Sequence, residues 1–175
     1  MSKSIIIKKP GGPEVLELQD VNVGSPAPDE IKVTNYAIGL NYIDTYHRSG
    51  LYPLPMPSGI GLEAAGKIDE IGSNVKEFNK GDNVAYASMP IGAYSQQRII
   101  PAKIAVKVPN WISHKVAASI MTKGLTTNYL ICKTYKLKAG ETILFHAAAD
   151  STHSCLGTSN AVHSKRMAFC IPPRP

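Results

Sequence analysis

Cysteine is scarce in this chain: among 175 residues there are three, Cys132, Cys155 and Cys170, with none before Cys132. That excludes a disulfide framework, which needs several cysteines in a paired arrangement, and it excludes a four-cysteine structural zinc lobe. Long apolar runs are also lacking. Nothing approaches the roughly 20 residues that cross a bilayer, and the N-terminal stretch has only Ile5, Ile6 and Ile7 as an apolar core, so neither a membrane span nor a secretory signal peptide is expected. Charge of one sign is not concentrated anywhere. The 19 Lys and Arg against 13 Asp and Glu give a net +6, but the basic residues stand singly or in pairs such as Lys8-Lys9 and Lys165-Arg166. They form no basic helix face and have no interleaved aromatics, so no nucleic-acid partner is expected. A cofactor phosphate is the better-suited anion. The three thiols are expected to be free, in a reducing, cytoplasmic compartment.

What the chain has is punctuation, with 14 glycines and 13 prolines. From Ser4 to about Ala105 they separate short strands, expected at Ser4 to Lys8, Val15 to Asp20, Glu30 to Ala37, Ala64 to Ile71, Asn83 to Tyr86 and Tyr94 to Ile100. Many short strands at such spacing predict a barrel-like β domain. One short helix interrupts them at Ile43 to Ser49, stopped by Gly50. After Pro109 helical spacing takes over: Ser113 caps a helix from His114 to Met121, and a second runs from Thr126 to Tyr135. Thr142-Ile143-Leu144-Phe145 then reads as a buried parallel strand, the opening of an α/β domain. Residues 151–175, with four serines, two threonines, one glycine and no acidic residue, lack the apolar period for a further helix and strand and are expected to be a poorly structured tail.

Five stretches in order carry a resemblance. They are Gly11-Gly12-Pro13-Glu14-Val15-Leu16; Ala37-Ile38-Gly39-Leu40-Asn41-Tyr42-Ile43-Asp44-Thr45-Tyr46 with Arg48-Ser49-Gly50-Leu51-Tyr52; Gly61-Leu62-Glu63-Ala64-Ala65-Gly66; Lys123-Gly124-Leu125-Thr126; and Phe145-His146-Ala147-Ala148-Ala149. Together they resemble the zinc-free, zeta-crystallin-like NADPH:quinone oxidoreductase branch of the medium-chain dehydrogenase/reductase superfamily. The resemblance implies a mostly β fold with some α: a GroES-like catalytic domain over residues 1–110, then over 111–149 linking helices and the first strand of an incomplete Rossmann domain, then an unrelated tail over 150–175. It implies hydride transfer from NADPH to a quinone, with Asn41, Asp44, Tyr46 and Tyr52 lining the active-site pocket. Tyr42, Ile43, Asp44, Thr45, Tyr46, Lys123 and Thr126 would meet the cofactor. On the residues alone, Tyr42, Tyr46 and Tyr52 also read as wall residues of a β domain, Lys123 as a solvated lysine and Thr126 as a helix cap.

Two departures bear on function. Zinc-dependent relatives carry cysteine where Asn41 stands and histidine where Leu62 stands, so no zinc site is expected. Where the family places a glycine-rich turn, so that backbone amides approach the pyrophosphate at a helix N-terminus, this chain reads Ala149-Asp150-Ser151-Thr152-His153. Weak or absent NADPH binding is therefore expected, as in an enzyme truncated at its cofactor motif. The tail's His153, Cys155, His163 and Cys170 are zinc-competent types at a spacing unlike a structural site. The alternative reading is a non-catalytic GroES-like interaction module that self-associates through its exposed cleft face, with a homodimer as its product.

Overall fold

The computed structural model describes residues 1–136, 138, 141–146 and 166–170, with 142–146 and 166–170 as backbone. The chain divides into two units, Met1–Met121 and Thr122–Pro175.

In the first unit, β1 (Ser2–Ile7), β2 (Glu17–Val21) and β4 (Ser58–Gly59) form a three-stranded sheet in the order β2-β1-β4. A second sheet in the order β7-β3-β5-β6-β8 joins β7 (Gln97–Pro101), β3 (Glu30–Gly39), β5 (Glu63–Ile71), β6 (Asn83–Ala87) and β8 (Ala105–Lys107), each neighbouring pair antiparallel. The period-two pattern explains the choice of strand. Ile31 and Val33 on β3, Ile68 on β5, Val84 and Tyr86 on β6 and Ile100 on β7 all point into one core, closed by Phe78 and Val75.

The short side chains of Ala64-Ala65-Gly66 have a packing cause. Ala64 belongs to that core, while Ala65 faces the other way and meets Ala85, Ala117 and Ala118. A central strand covered on both faces at such short range needs small residues. At Gly66 the limit is reached, since a Cβ there would lie 1.9 Å from the Thr34 carbonyl oxygen. This spot coincides with the register shift of β3 between Asn35 and Ala37, and a bulge of that kind bends the strand.

The expected strands exist with shifted ends. β3 runs on to Gly39, whereas β7 starts only at Gln97. Tyr94 is not in a strand because the amides of Gly92, Ala93 and Tyr94 are taken by Gly61 and Ile60 carbonyls across a loop. The two-residue β4 and three-residue β8 are additional, held by long-range pairing that local spacing does not show.

The helical stretch differs more. Instead of two helices, α2 is continuous from His114 to Asn128 and passes into a π-helical turn, Tyr129–Thr134. Ser113 does cap it, its hydroxyl accepting from the Val116 amide at 3.3 Å. The gap left between Met121 and Thr126 is itself helical, and the one glycine in it, Gly124, costs a helix only about 1 kcal/mol.

In the second unit, β9 (Thr142–His146) pairs in parallel with β10 (Arg166–Cys170). Those last five residues were expected as tail. The run Met167-Ala168-Phe169-Cys170 is locally apolar, a feature diluted by the serine-rich composition around it. Ala149 to His153, Cys155 and His163 lie outside the described residues.

Candidate functional site

The segment from Asn41 to Tyr52 is an eight-residue helix, α1 (Tyr42–Ser49), with its approaches. Asn41 stands at the N-cap in extended conformation, and Gly50 ends the helix at φ 85°, the left-handed geometry that favours glycine. The Asn41 N–H donates to Asp44 Oδ2 at 2.9 Å, which is the carboxylate half of a capping box. The Asn41 side chain turns elsewhere: its Nδ2 donates to Glu63 Oε2 at 2.7 Å. Glu63, on β5, is fully buried.

The helix C-terminus is braced by the Gly11-Gly12-Pro13-Glu14-Val15 turn. The Gly11 N–H donates to the Arg48 carbonyl at 3.0 Å, and Arg48 Nε returns a 3.3 Å bond to the Gly11 carbonyl. Glu14 accepts from the Gly12 amide at 2.8 Å, and these backbone amides hold its carboxyl below the usual range. The turn that contributed to the resemblance therefore serves to hold α1.

The tyrosines form an edge-to-face series. Tyr42 meets Tyr46 at 5.4 Å between ring centroids, Tyr46 meets Tyr52 at 5.4 Å, and Tyr52 meets His47 at 6.0 Å. Tyr42 is 76% exposed and Tyr52 48%. Ile43 is half-buried, and the Thr45 hydroxyl donates to the Tyr42 carbonyl at 2.7 Å.

Asp44 departs from its expected place. It was expected to line a pocket, yet it is buried beneath the helix, with Oδ2 also accepting from the Tyr94 hydroxyl at 2.9 Å and Oδ1 without a hydrogen-bond partner. Burial raises its carboxyl above the usual value against the lowering effect of those donors. Through Oδ2, Asp44 ties the segment to Tyr94 and to the Asn41 amide.

In the second unit, Lys123 is half-buried, and Thr126 lies inside α2, so it is not a cap. Its hydroxyl donates to the Thr122 carbonyl at 2.8 Å. The adjacent Thr127 escaped the sequence reading, yet it is buried and its hydroxyl has no hydrogen-bond partner.

A separate groove of about 450 Å³ lies beside β1 and β3, lined by Ile5, Leu18, Ile38, Leu40 and Tyr94 among others, but not by the α1 tyrosines. Among the described residues there is no cluster of three or more His, Cys, Asp or Glu able to hold a metal ion. No helix among them is long and apolar enough to cross a membrane.

Each unit carries candidate features of its own. The first offers exposed aromatic faces at the start of a braced helix, and the second a buried hydroxyl with no partner. The class follows from a family profile: residues 27–110 match the alcohol dehydrogenase GroES-like domain. The chain is 53% identical over 150 residues to a quinone oxidoreductase of Pseudomonas aeruginosa, covering 85% of this chain and 46% of that protein. It is 51% identical, with the same coverage, to quinone oxidoreductase 1 of Escherichia coli. The crystal structure of the Escherichia coli quinone oxidoreductase complexed with NADPH superposes with a TM-score of 0.93 at 44% identity, over 98% of this chain and 53% of that one. The chain belongs to the quinone oxidoreductase branch of the medium-chain dehydrogenase/reductase superfamily and corresponds to its N-terminal portion. It spans about half the length of the curated relatives it matches.

Proposed function

We propose that this chain carries the catalytic-domain wall of an NADPH-dependent quinone reductase and that it holds the cofactor weakly. The observation that carries the reading is the braced α1 segment, where the exposed Tyr42 and Tyr52 and half-buried Tyr46 stand beside Asn41, itself bonded to the buried Glu63 and Asp44. NADPH, when bound, supplies the hydride. The chain's own part is orientation and polar stabilisation: Tyr42 offers a ring face to the nucleotide, and a Tyr46 or Tyr52 hydroxyl donates to the oxygen that gains negative charge as a quinone carbonyl accepts hydride. The unpartnered Thr127 hydroxyl is a further group to hold the cofactor.

Weak binding follows from the sequence after His146. A pyrophosphate requires closely approaching amides there, and Asp150 brings a negative charge with no glycine beside it. Zinc has no role in this reading, since Asn41 presents a donor nitrogen to Glu63 where a ligand would need a lone pair. The placement is cytoplasmic.

A chimera tests the reading: residues 1–146 of this chain followed by the remaining half of the Escherichia coli relative. It is expected to reduce a small quinone with NADPH, and Tyr46→Phe or Asn41→Ala should lower turnover by about tenfold or more. A folded chimera that binds NADPH but reduces no quinone would overturn it. Concentration-dependent self-association of such an inactive chimera would favour the interaction-module alternative.

A further inference from the structure

We propose that Tyr94 is a positioning residue for the Asn41–Tyr46 segment, clamping α1 from a loop that lies fifty residues further along the chain. The inference rests on the reading that this segment faces the cofactor.

The chain of contacts is continuous. Arg98, buried, donates from Nη2 to the carbonyls of Pro90 at 2.7 Å and Ile91 at 3.3 Å, which fixes the loop before Tyr94. The loop is fastened again where the Gly92 and Ala93 amides share the Gly61 carbonyl and the Tyr94 amide reaches that of Ile60. Gly61 has φ +92° and no room for a side chain, because a Cβ would lie 2.2 Å from the Tyr94 ring. Tyr94 is thus seated against a backbone that cannot accommodate a change. From that seat its hydroxyl donates to Asp44 Oδ2, the same oxygen that accepts from the Asn41 amide.

The Tyr94 bond matters because Asp44 is poorly provided for. Its Oδ1 has no hydrogen-bond partner, and the charged groups facing it are few: His47 on its own helix, whose Nδ1 is also without a partner, Glu63 on β5, and Tyr94. Burial and the Glu63 charge favour a protonated Asp44, while the Tyr94 and Asn41 donors and His47 favour the carboxylate. A protonated carboxyl is a weaker acceptor, and the Asn41 amide would then be held less firmly. The Tyr94 hydroxyl is correspondingly driven well above the ordinary tyrosine range, by burial first and by Asp44 second.

The experiment is a comparison of Tyr94→Phe with Tyr86→Phe in the full chain, by carboxyl-carbon titration and amide hydrogen exchange in the absence of cofactor. Tyr86 is a comparison of equal type: it is fully buried in the same unit, its hydroxyl donates to Asn35 Oδ1 at 2.9 Å and its ring lies under Arg98, so it makes no direct contact with Asp44. Tyr94→Phe is expected to raise the Asp44 midpoint by about one unit and to lose about tenfold protection at the Asn41 amide. Tyr86→Phe, which reaches the Tyr94 loop only through Asn35 and Arg98, is expected to move both values clearly less than Tyr94→Phe. Equal effects of the two variants, or an unmoved Asp44 midpoint in Tyr94→Phe, would overturn the proposal. Should Tyr94→Phe not fold, Asp44→Asn supplies the reciprocal measurement: ultraviolet titration should show the Tyr94 hydroxyl ionising about one unit lower, and an unchanged midpoint would overturn it. None of these readouts involves NADPH, so the clamp and the cofactor reading can fail independently.

Discussion

Replacing Gly39 by alanine tests the packing beneath the candidate site. Gly39 ends β3, two residues before Asn41, and a Cβ there would lie 2.3 Å from the Ala118 carbonyl oxygen and 2.6 Å from Glu63 Oε2. Neither neighbour yields easily. The first is helix backbone, and the second is a fully buried carboxylate already engaged by Asn41. Overpacking a core ordinarily costs about 1–3 kcal/mol, and two rigid contacts place this substitution near about 3 kcal/mol, a large share of a typical domain stability of about 5–15 kcal/mol. Native-state hydrogen exchange of the slowest β3 and β5 amides reads it as acceleration of about 10²-fold. Gly124→Ala is the matched comparison. That glycine sits within α2 with no atom inside 4 Å of a built Cβ, so the change should stabilise by about 0.5–1 kcal/mol through helix propensity. A loss below about 1 kcal/mol for Gly39→Ala would refute the claim that β3, β5 and α2 meet at their closest approach there.

Three further outcomes are expected. Tyr86→Phe should cost about 1 kcal/mol in urea unfolding, because it leaves Asn35 Oδ1 without the 2.9 Å donor; a neutral result would mean that water replaces the bond. Because the native Asp44 carboxyl is raised, its contribution is fully present below the unfolded value and is lost as pH rises through the native one. The stability of the parent relative to Asp44→Asn should therefore decline with rising pH across that window, and a pH-independent difference would contradict it. Purified protein should contain no stoichiometric zinc by elemental analysis, and one tightly held zinc per chain would contradict the roles given to Asn41 and Leu62.

The strands β3, β5 and β6 and the helix α1 could be read from the residues because the causes are local. Apolar positions alternate at Ile31 and Val33, glycine and proline separate the strands, and Gly50 supplies the left-handed stop. The order of family motifs from Gly11 to Ala149 was likewise a property of the sequence alone. The tertiary structure decided the rest. β4 exists only because two residues lie along β1, and Tyr94 leaves its expected strand because its amide is claimed by Ile60. Thr127 rather than Thr126 is covered, and α2 passes through Gly124 without a break. Above all, the burial of Asp44 and its bond to a hydroxyl fifty positions away are invisible in the local sequence. Backbone preference and side-chain period act over a few neighbouring residues, whereas burial and hydrogen-bond partnership are set by segments that meet only when the chain closes on itself.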